Sequence, residues 1–140
     1  MKILIINGPN LNLLGVREPG IYGKSSFGEY LPQLQSRYPD INIDYYQSNI
    51  EGALIDKLQE AGFSCDGIVL NAGAYTHTSI AILDALKAVG LPCVEVHLSA
   101  VEKREEFRQI SYAGMACVKT FTGLGFEGYR RAILFLKSIV

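Results

Sequence analysis

The sequence lacks tryptophan, long apolar runs and long runs of one charge sign, and it contains only three cysteines and two histidines. No apolar run approaches the length of about 18 residues that indicates a transmembrane helix, so no membrane partner is expected. The 13 basic and 14 acidic residues leave a net charge of −1, which is not typical of a nucleic-acid-binding surface. The expected partner is therefore a small molecule.

The cysteines are also few and scattered. Cys65, Cys93 and Cys117 stand next to apolar strand patterns, which favours buried free thiols over disulfides or a metal site. Strand-like residues begin at Lys2, leaving no room for a secretory leader, so a cytoplasmic protein is expected. The sequence contains no P-loop, HExxH or paired CxxC motif, so no metal and no cofactor are expected.

Apolar runs alternate with helical patterns along the 140 residues, which are expected to form a single domain, residues 1–140. Apolar runs predict five strands, at Lys2–Ile6, Ile41–Tyr46, Gly67–Leu70, Cys93–His97 and Ala116–Phe121. Helical periodicity predicts helices at Ser26–Tyr38, Gly52–Ala61, Ser79–Val89 and Tyr129–Val140, and a charged helical segment, EKREEFR, at 102–108. This alternation predicts an α/β fold with a doubly wound, five-stranded parallel sheet and helices on both faces.

The longest connection, NGPNLNLLGVREPGIYG, runs from Asn7 to Gly23 and is rich in glycine and proline. Loops between a strand and a helix usually have about 2 to 6 residues, so this one is expected to be a binding loop or a lid. Asn10, Arg17 and Tyr22 supply an amide, a permanent cation and a phenol, and an arginine beside a tyrosine favours the tyrosinate. A plain surface loop is the alternative at this point.

Polar residues also lie at the ends of the third and fourth predicted strands: Asn71 and His77 follow the third, and Glu95, His97 and Ser99 end the fourth. Ligands of doubly wound sheets bind outside the carboxyl ends of the strands, so these residues are expected to share one site. Glu95 and His97 lie two apart on a strand and face the same way, where the carboxylate can orient the imidazole and favour its protonated form. An ion pair of Glu95 with a lysine or arginine is the alternative. Arg104 or Arg108 could bind a carboxylate of the ligand.

The segment GLGFEG, from Gly123 to Gly128, matches the dinucleotide-binding pattern GxGxxG but lacks its context. That pattern needs a later strand with an acidic residue about 20 positions on, whereas the sequence ends at Val140. The glycines are expected instead to allow tight packing of a strand against a helix.

The predicted helix Ser79–Val89 is apolar on almost every side apart from Asp84 and Lys87. Such a helix is expected to be buried on two sides, which predicts a subunit interface and a homo-oligomer with Asp84 near the boundary.

Three long segments stand out, namely NGPNLNLLGVREPGIYG, NAGAYTHTSIAILDAL, and VEVHLS with REEFR. Their order and spacing resemble those of the type II 3-dehydroquinate dehydratases, and the resemblance covers essentially the whole chain. The resemblance implies a flavodoxin-like fold, a dodecamer built from trimers, and no metal or cofactor. It also implies a lyase that removes water from 3-dehydroquinate by anti elimination through an enolate, in the shikimate pathway or in the breakdown of quinate.

The resemblance also implies roles for single residues. Tyr22 would take the proton next to the ketone, Arg17 would hold Tyr22 as tyrosinate, and Asn10 would stabilise the enolate through a water. His97, oriented by Glu95, would protonate the departing hydroxyl. The substrate would be bound by Asn71, His77, the backbone of Leu98, Ser99, Arg108 and, from a neighbouring subunit, Asp84.

Two positions depart from the family pattern, since Ala100 stands where asparagine is common and Ile50 stands where histidine often follows QSN. Neither is a catalytic position, so they bear on local hydrogen bonding and substrate affinity rather than on the type of reaction.

Two other classes of function remain open. A non-catalytic flavodoxin-like module for a small anion or nucleotide would use the asparagine- and glycine-rich loop as an anion nest, but it would not need Tyr22, His97 and Glu95 together. A structural assembly subunit would explain the apolar helix but not the polar strand ends.

Overall fold

The computed structural model describes residues 1–15 and 26–140, so Arg17 and Tyr22 lie outside the described residues. The described part of the chain forms the strands β1 (Lys2–Asn7), β2 (Asn42–Gln47), β3 (Gly67–Asn71), β4 (Cys93–His97) and β5 (Lys119–Thr122). Its α-helices are α1 (Phe27–Arg37), α2 (Glu51–Ala61), α3 (Ile80–Val89) and α4 (Glu127–Ile139). No helix in these two ranges is long and apolar enough to cross a membrane.

All strand pairs are parallel, and the spatial order of the strands is β2-β1-β3-β4-β5. The predicted doubly wound sheet is therefore confirmed, and the order is that of the flavodoxin-like fold. The chain passes from β1 to β2 on one side and then crosses to β3 on the other side of β1. This reversal leaves a crevice at the carboxyl ends of β1 and β3, which is where folds of this kind bind ligands.

Successive residues of the strands pack against different helices. Ile3 and Ile5 of β1 belong to a core cluster with α1 and α4, whereas Leu4 and Ile6 belong to a second cluster with α2 and α3. Strands buried on both faces in this way have continuous apolar sequences, as β1 and β3 do. The prediction of helices on both faces of the sheet is confirmed.

Local signals define where α1 and α3 begin and end. Ser26 caps the start of α1, with its Oγ accepting a hydrogen bond from the Glu29 N–H at 3.2 Å. Pro32 lies inside α1, where its missing N–H removes one intrahelical bond without ending the helix. Helix α3 ends at Gly90, whose φ of 74° is a left-handed conformation that glycine adopts readily.

The outer side of α3 is exposed in the single chain. Ile82, Leu83, Ala85 and Leu86 are buried against the rest of the protein. On the other side Ile80 is 55% exposed, and Asp84 is exposed as well. The interface prediction for this helix stays a prediction, and Ile80 and Asp84 identify the face that it concerns.

The prediction of a helical segment at 102–108 is wrong. Two separate 3-10 turns, Val101–Lys103 and Glu106–Arg108, take its place, and Arg104 between them is extended. The side-chain amide of Gln109 donates to the carbonyl oxygens of Val101, Arg104 and Glu105 at 3.0, 3.3 and 3.2 Å. A side chain thus satisfies carbonyl groups that a continuous helix would pair within its own backbone.

The fifth strand begins later than predicted. Ala116 lies in a 3-10 helix, Ala113–Ala116, and β5 spans Lys119–Thr122 rather than Ala116–Phe121. Pairing with β4 starts where the Val118 N–H donates to the Cys93 carbonyl oxygen at 2.9 Å, so the preceding residues are free to turn.

Candidate active site

A pocket of about 210 Å³ lies at the carboxyl ends of β1, β3 and β4. Seven of the predicted site residues line it, namely Asn10, Asn71, His77, His97, Leu98, Ser99 and Arg108. The other lining residues are Pro9, Leu11, Gly73, Ala74, Val101 and Arg104. The structure therefore brings together polar residues from three strand ends, as expected from the topology.

Glu95 and His97 form a hydrogen-bonded pair on β4. His97 Nε2 lies 3.0 Å from Glu95 Oε2, and the two residues are only 6% and 2% exposed. Both side chains lie on the same side of the strand because residues two apart on a strand point the same way. His97 also lines the pocket, so the pair joins the pocket wall to a buried carboxylate.

Two hydroxyl groups also donate to Glu95. Ser111 Oγ lies 2.5 Å from Oε2, and Thr120 Oγ1 lies 2.9 Å from Oε1. Burial by itself would raise the pKa of Glu95, but the hydrogen bond and charge of His97, together with the two hydroxyls, bring that pKa below its ordinary value. Glu95 is therefore an anion near neutral pH. Glu95, His97, Ser111 and Thr120 are called the carboxylate cluster below.

Ser111 and Thr120 were not among the residues predicted from the sequence. Thr120 is opposite Glu95 in the pairing of β4 with β5, and Ser111 lies in the segment before the 3-10 helix Ala113–Ala116. Thr120 could be recognised from the sequence only as a hydroxyl residue on a predicted strand. Placing it beside Glu95 requires the register of β5 against β4, which the strand pattern does not give. Ser111 stands just beyond the REEFR segment that marks the family resemblance, but nothing in the sequence indicates that its hydroxyl reaches Glu95.

The second histidine has a different environment. His77 Nδ1 lies 2.8 Å from the carbonyl oxygen of Ile110, so Nδ1 carries the proton and donates it. Its ring is 6.2 Å from the His97 ring, and the two planes are inclined by 18°. Burial lowers the pKa of His77, and the charges of His97 and Arg108 act in the same direction. The neutral ring of His77 leaves Nε2 as a hydrogen-bond acceptor at the pocket.

A second set of buried polar side chains lies under the pocket between β1 and β3. The Tyr129 hydroxyl donates to Asn7 Oδ1 at 2.7 Å and accepts from Asn71 Nδ2 at 3.1 Å. Asn7 Nδ2 donates to the Tyr45 hydroxyl at 3.3 Å, and Asn71 Oδ1 accepts from the Gly73 N–H at 3.2 Å. Asn7, Asn71, Tyr45 and Tyr129 are called the amide cluster below. It holds the amide plane of Asn71, a pocket-lining residue, in one orientation.

Asn10 has an unusual backbone conformation at the mouth of the pocket. Its φ of 69° is in the left-handed region, which asparagine tolerates better than most residues. The Asn10 N–H donates to Asn49 Oδ1 at 3.0 Å, which anchors the start of the long loop to the segment after β2. Its exposed side chain lies on the pocket wall, where its amide can reach a ligand.

The segment after β4 is held by the glycines of the GLGFEG sequence. The Gly125 N–H donates to the Leu98 carbonyl oxygen at 3.1 Å, and the Gly123 N–H donates to that of Ser99 at 3.1 Å. A Cβ atom at Gly128 would lie 3.1 Å from Val96 Cγ1, so α4 lies close to β4 there. The glycines thus support the pocket wall and allow close packing of a helix on the sheet.

Two arginines lie on the positively charged side of the pocket. Arg108 Nε donates to Glu105 Oε2 at 2.8 Å, and Arg104 Nε lies 3.8 Å from Glu105 Oε1. Their side chains are 22% and 16% exposed, respectively. The sequence left Arg104 and Arg108 as alternatives for binding a carboxylate, and both line the same wall, so either guanidinium can meet an anionic ligand.

Of the eleven predicted site residues, seven line the pocket, and Glu95 contacts His97 in its wall. Arg17 and Tyr22 lie outside the described residues, and Asp84 lies on the exposed side of α3. The two departures from the family pattern do not line the pocket either, and Ile50 is 67% exposed.

Within the ranges 1–15 and 26–140, no group of three or more His, Cys, Asp or Glu side chains could hold a metal ion. The expectation that the protein uses no metal and no cofactor stays a prediction.

Comparison with known proteins gives consistent matches. Residues 1–137 match the family model described as dehydroquinase class II. The 3-dehydroquinate dehydratase of Fusobacterium nucleatum is 49% identical over 141 residues, covering 97% of this chain and 96% of that protein. That of Carboxydothermus hydrogenoformans is 52% identical over 138 residues, covering 97% and 90%. The crystal structure of type II dehydroquinase from Butyrivibrio crossotus matches with a TM-score of 0.95 at 50% identity, covering 98% of this chain and 97% of that one.

Proposed function

The chain belongs to the class II dehydroquinase family and is a 3-dehydroquinate dehydratase, and we propose that it removes water from 3-dehydroquinate by anti elimination through an enolate to give 3-dehydroshikimate. Such an elimination needs a base that removes the proton next to the ketone. It also needs an acid on the opposite side of the ring that protonates the departing hydroxyl.

We assign the acid to His97. Its Nε2 is engaged by Glu95 at 3.0 Å, so Nδ1 is the ring nitrogen that gives a proton to the departing hydroxyl. The negative charge of Glu95 attracts the protonated imidazole, and the burial of both residues reduces screening by water. This contact is the observation on which the proposed mechanism depends most.

We assign the base to Tyr22 and its activation to Arg17. A free tyrosine has a pKa of about 10, so at pH 7 only about one molecule in a thousand is ionised, a handicap of about 4 kcal/mol. A nearby opposite charge lowers the pKa of an acid by about 1 to 3 units, and Arg17 supplies that charge. Tyr45 and Tyr129 under the pocket are unsuited to this role because burial raises the pKa of each.

The remaining pocket residues match the polar groups of the substrate. In this proposal, the hydroxyls and the carboxylate of the substrate are bound by Asn71, His77, the backbone of Leu98, Ser99 and Arg108. The neutral His77 supports this role, because its free Nε2 accepts a hydrogen bond from a hydroxyl. Asn10 stabilises the enolate through a water.

The reaction is tested by following the absorbance of the conjugated enone product with purified protein and 3-dehydroquinate. We expect turnover without added metal, unaffected by EDTA or by borohydride in the presence of substrate, because a phenol rather than a lysine Schiff base removes the proton. Loss of activity on chelation, or a trapped lysine adduct, contradicts the mechanism. Binding without turnover would instead identify a flavodoxin-like small-anion or nucleotide-binding module.

The base is tested by substitution in the long loop. Tyr22→Phe should nearly abolish kcat with little change in substrate affinity, because only the hydroxyl is lost. Arg17→Ala should also lower kcat, and Arg17→Lys should recover part of the loss, because lysine keeps the charge but not the planar guanidinium. Wild-type turnover in Tyr22→Phe would show that the base lies elsewhere.

We further propose a homo-oligomer, a dodecamer built from trimers, in which Asp84 reaches the site of a neighbouring subunit. The exposed Ile80 on the same face of α3 supports an interface there. A monomer by light scattering at micromolar concentration, with full activity, would contradict this. We also propose that the enzyme acts in the shikimate pathway, for biosynthesis of chorismate and aromatic amino acids, or in the breakdown of quinate. A cytoplasmic location completes the proposal.

A further inference from the structure

We propose that Ser111 and Thr120 are positioning residues for the proton donor, because their hydroxyls fix the Glu95 carboxylate that orients His97. This inference rests on the proposed function, in which His97 protonates the departing hydroxyl. The two residues do not line the main pocket, and they act through Glu95 rather than on the substrate.

The hydrogen bonds of Ser111 determine where its hydroxyl proton points. The Gly114 N–H donates to Ser111 Oγ at 2.9 Å, so the oxygen already accepts one bond. Its own proton is then directed to Glu95 Oε2 at 2.5 Å, the same oxygen that His97 Nε2 contacts at 3.0 Å. Ser111 therefore acts on the carboxylate oxygen that holds the imidazole.

Thr120 fixes the other oxygen. Its Oγ1 donates to Glu95 Oε1 at 2.9 Å, and the strand register places it directly opposite Glu95. With both oxygens engaged, the carboxylate cannot rotate without breaking a hydrogen bond. The ring of His97 is bound to that carboxylate, so its orientation toward the pocket is fixed as well.

The carboxylate has little free space on this side. A Cβ atom at Gly114 would lie 2.7 Å from Ser111 Oγ and 2.8 Å from Glu95 Oε1, which is closer than such contacts allow. A second cavity of about 390 Å³ opens beside the cluster, and its wall includes Glu95, His97, Ser111 and Thr120. The two hydroxyls take hydrogen-bonding positions on a carboxylate that itself borders this cavity.

Other ionisable groups surround the cluster, and the substitutions below leave them in place. Cys93 precedes Glu95 on the same side of β4, and His77 packs beside His97. The segment after β4 contributes Glu102, Arg104 and Arg108 to the walls of the two cavities.

The test compares Ser111→Ala and Thr120→Val with the wild type in the enone assay. We expect Ser111→Ala to lower kcat by about tenfold to a hundredfold with little change in KM, by analogy with the loss when a group that orients a metal-binding histidine is removed. Thr120→Val should give a smaller loss of kcat. Thr120 is exposed, and the carboxylate oxygen that it binds, Oε1, is not the one that contacts His97. Thr120→Ser and Ser111→Thr keep the hydroxyl and should restore kcat.

Thr122→Val is the matched control. Thr122 lies on the same strand as Thr120, but its hydroxyl donates to the exposed Glu102 at 2.9 Å. Thr122→Val should therefore leave kcat at the wild-type value.

Two further measurements separate positioning from a general loss of structure. In a Glu95→Gln background, Ser111→Ala should cause little further loss, because the anion on which it acts is already gone. Infrared difference titration, with the carboxylate band assigned by Glu95→Gln, should show Glu95 protonating at higher pH in Ser111→Ala than in the wild type.

The inference is overturned if Ser111→Ala has wild-type kcat and an unchanged Glu95 titration, or if its loss of activity is equally large in the Glu95→Gln background. If the wild type does not turn over 3-dehydroquinate at all, the proposed function fails instead. The infrared titration then decides whether the hydroxyls control Glu95.

Discussion

Two polar clusters, each built around buried side chains, lie under the same pocket, and they differ in charge. The carboxylate cluster, beside β4 and β5, contains an anion with three hydrogen-bond donors, from His97, Ser111 and Thr120. The amide cluster, between β1 and β3, contains two amides and two phenols. Burial raises the pKa of its central Tyr129, which stays neutral.

The difference shows how one sheet edge provides two kinds of function. Proton transfer needs an ionisable group whose charged form is stabilised, and a buried carboxylate beside an imidazole supplies it. Holding a substrate needs dipoles in fixed directions, and a closed set of neutral hydrogen bonds provides them without the cost of burying a charge. We therefore expect damage to the carboxylate cluster to lower kcat, and damage to the amide cluster to affect stability and KM.

The largest expected effect comes from removing the proton donor. His97→Ala should lower kcat by about 10²- to 10⁴-fold, the usual contribution of general acid catalysis, and should change KM much less. Steady-state kinetics on 3-dehydroquinate measure both. His77→Ala, in the same pocket, is the comparison and should act mainly on KM. A raised KM with unchanged kcat in His97→Ala would assign the acid to another group.

A smaller loss of kcat is expected when the Glu95 carboxylate is displaced and His97 is kept. Gly114→Ala places a Cβ atom 2.8 Å from Glu95 Oε1, so the carboxylate must move, and kcat should fall by about tenfold to a hundredfold. Gly52→Ala is the control, because a Cβ atom there has no neighbour within 4 Å. That change lies in α2 and should stabilise the fold by about 0.5 to 1 kcal/mol. Equal kcat values for the two variants would contradict the role of Gly114.

The amide cluster should respond in stability. Tyr129→Phe removes the hydroxyl that bonds Asn7 and Asn71 and leaves an amide oxygen and an amide N–H unpaired in a buried site. We expect the free energy of unfolding to fall by about 1 to 3 kcal/mol, measured by urea denaturation, and KM to rise because Asn71 can rotate. A fall in kcat as large as that of His97→Ala would remove the distinction between the clusters.

The smallest expected effect is a difference between the two clusters in how their contribution to stability depends on pH. Because the folded-state pKa of Glu95 is below the ordinary value of 4.5, the carboxylate stabilises the fold above that pH, and the contribution is lost as the pH falls through the folded pKa. Glu95→Gln should therefore flatten the acid side of the stability curve. Tyr129 has a raised pKa, so the cost of Tyr129→Phe should stay constant from about pH 4 to 9. Urea midpoints measured from about pH 9 down to below the folded-state pKa of Glu95 test both expectations, and a cost of Tyr129→Phe that varies with pH above about pH 4 would contradict the second.

Much of the fold could be predicted because the helices and strands have strong local signals. The strands β1 and β3 are buried on both faces and have continuous apolar runs, and Ser26 with Glu29 marks the start of α1. The segment at 102–108 was predicted wrongly because its charged residues suit a helix. A single side chain, Gln109, instead bonds the carbonyl groups in the folded protein.

The sequence by itself determined the alternation of strands and helices, the polar residues at the strand ends, and the pairing of Glu95 with His97. Each of these depends on residues close together in the chain, where periodicity and spacing fix the geometry. Only the tertiary structure decided that Ser111 and Thr120 surround Glu95, and that Tyr129 joins Asn7 to Asn71. Those contacts span 16, 25, 122 and 58 positions, so they follow from the register of strands and the packing of α4 rather than from any local pattern.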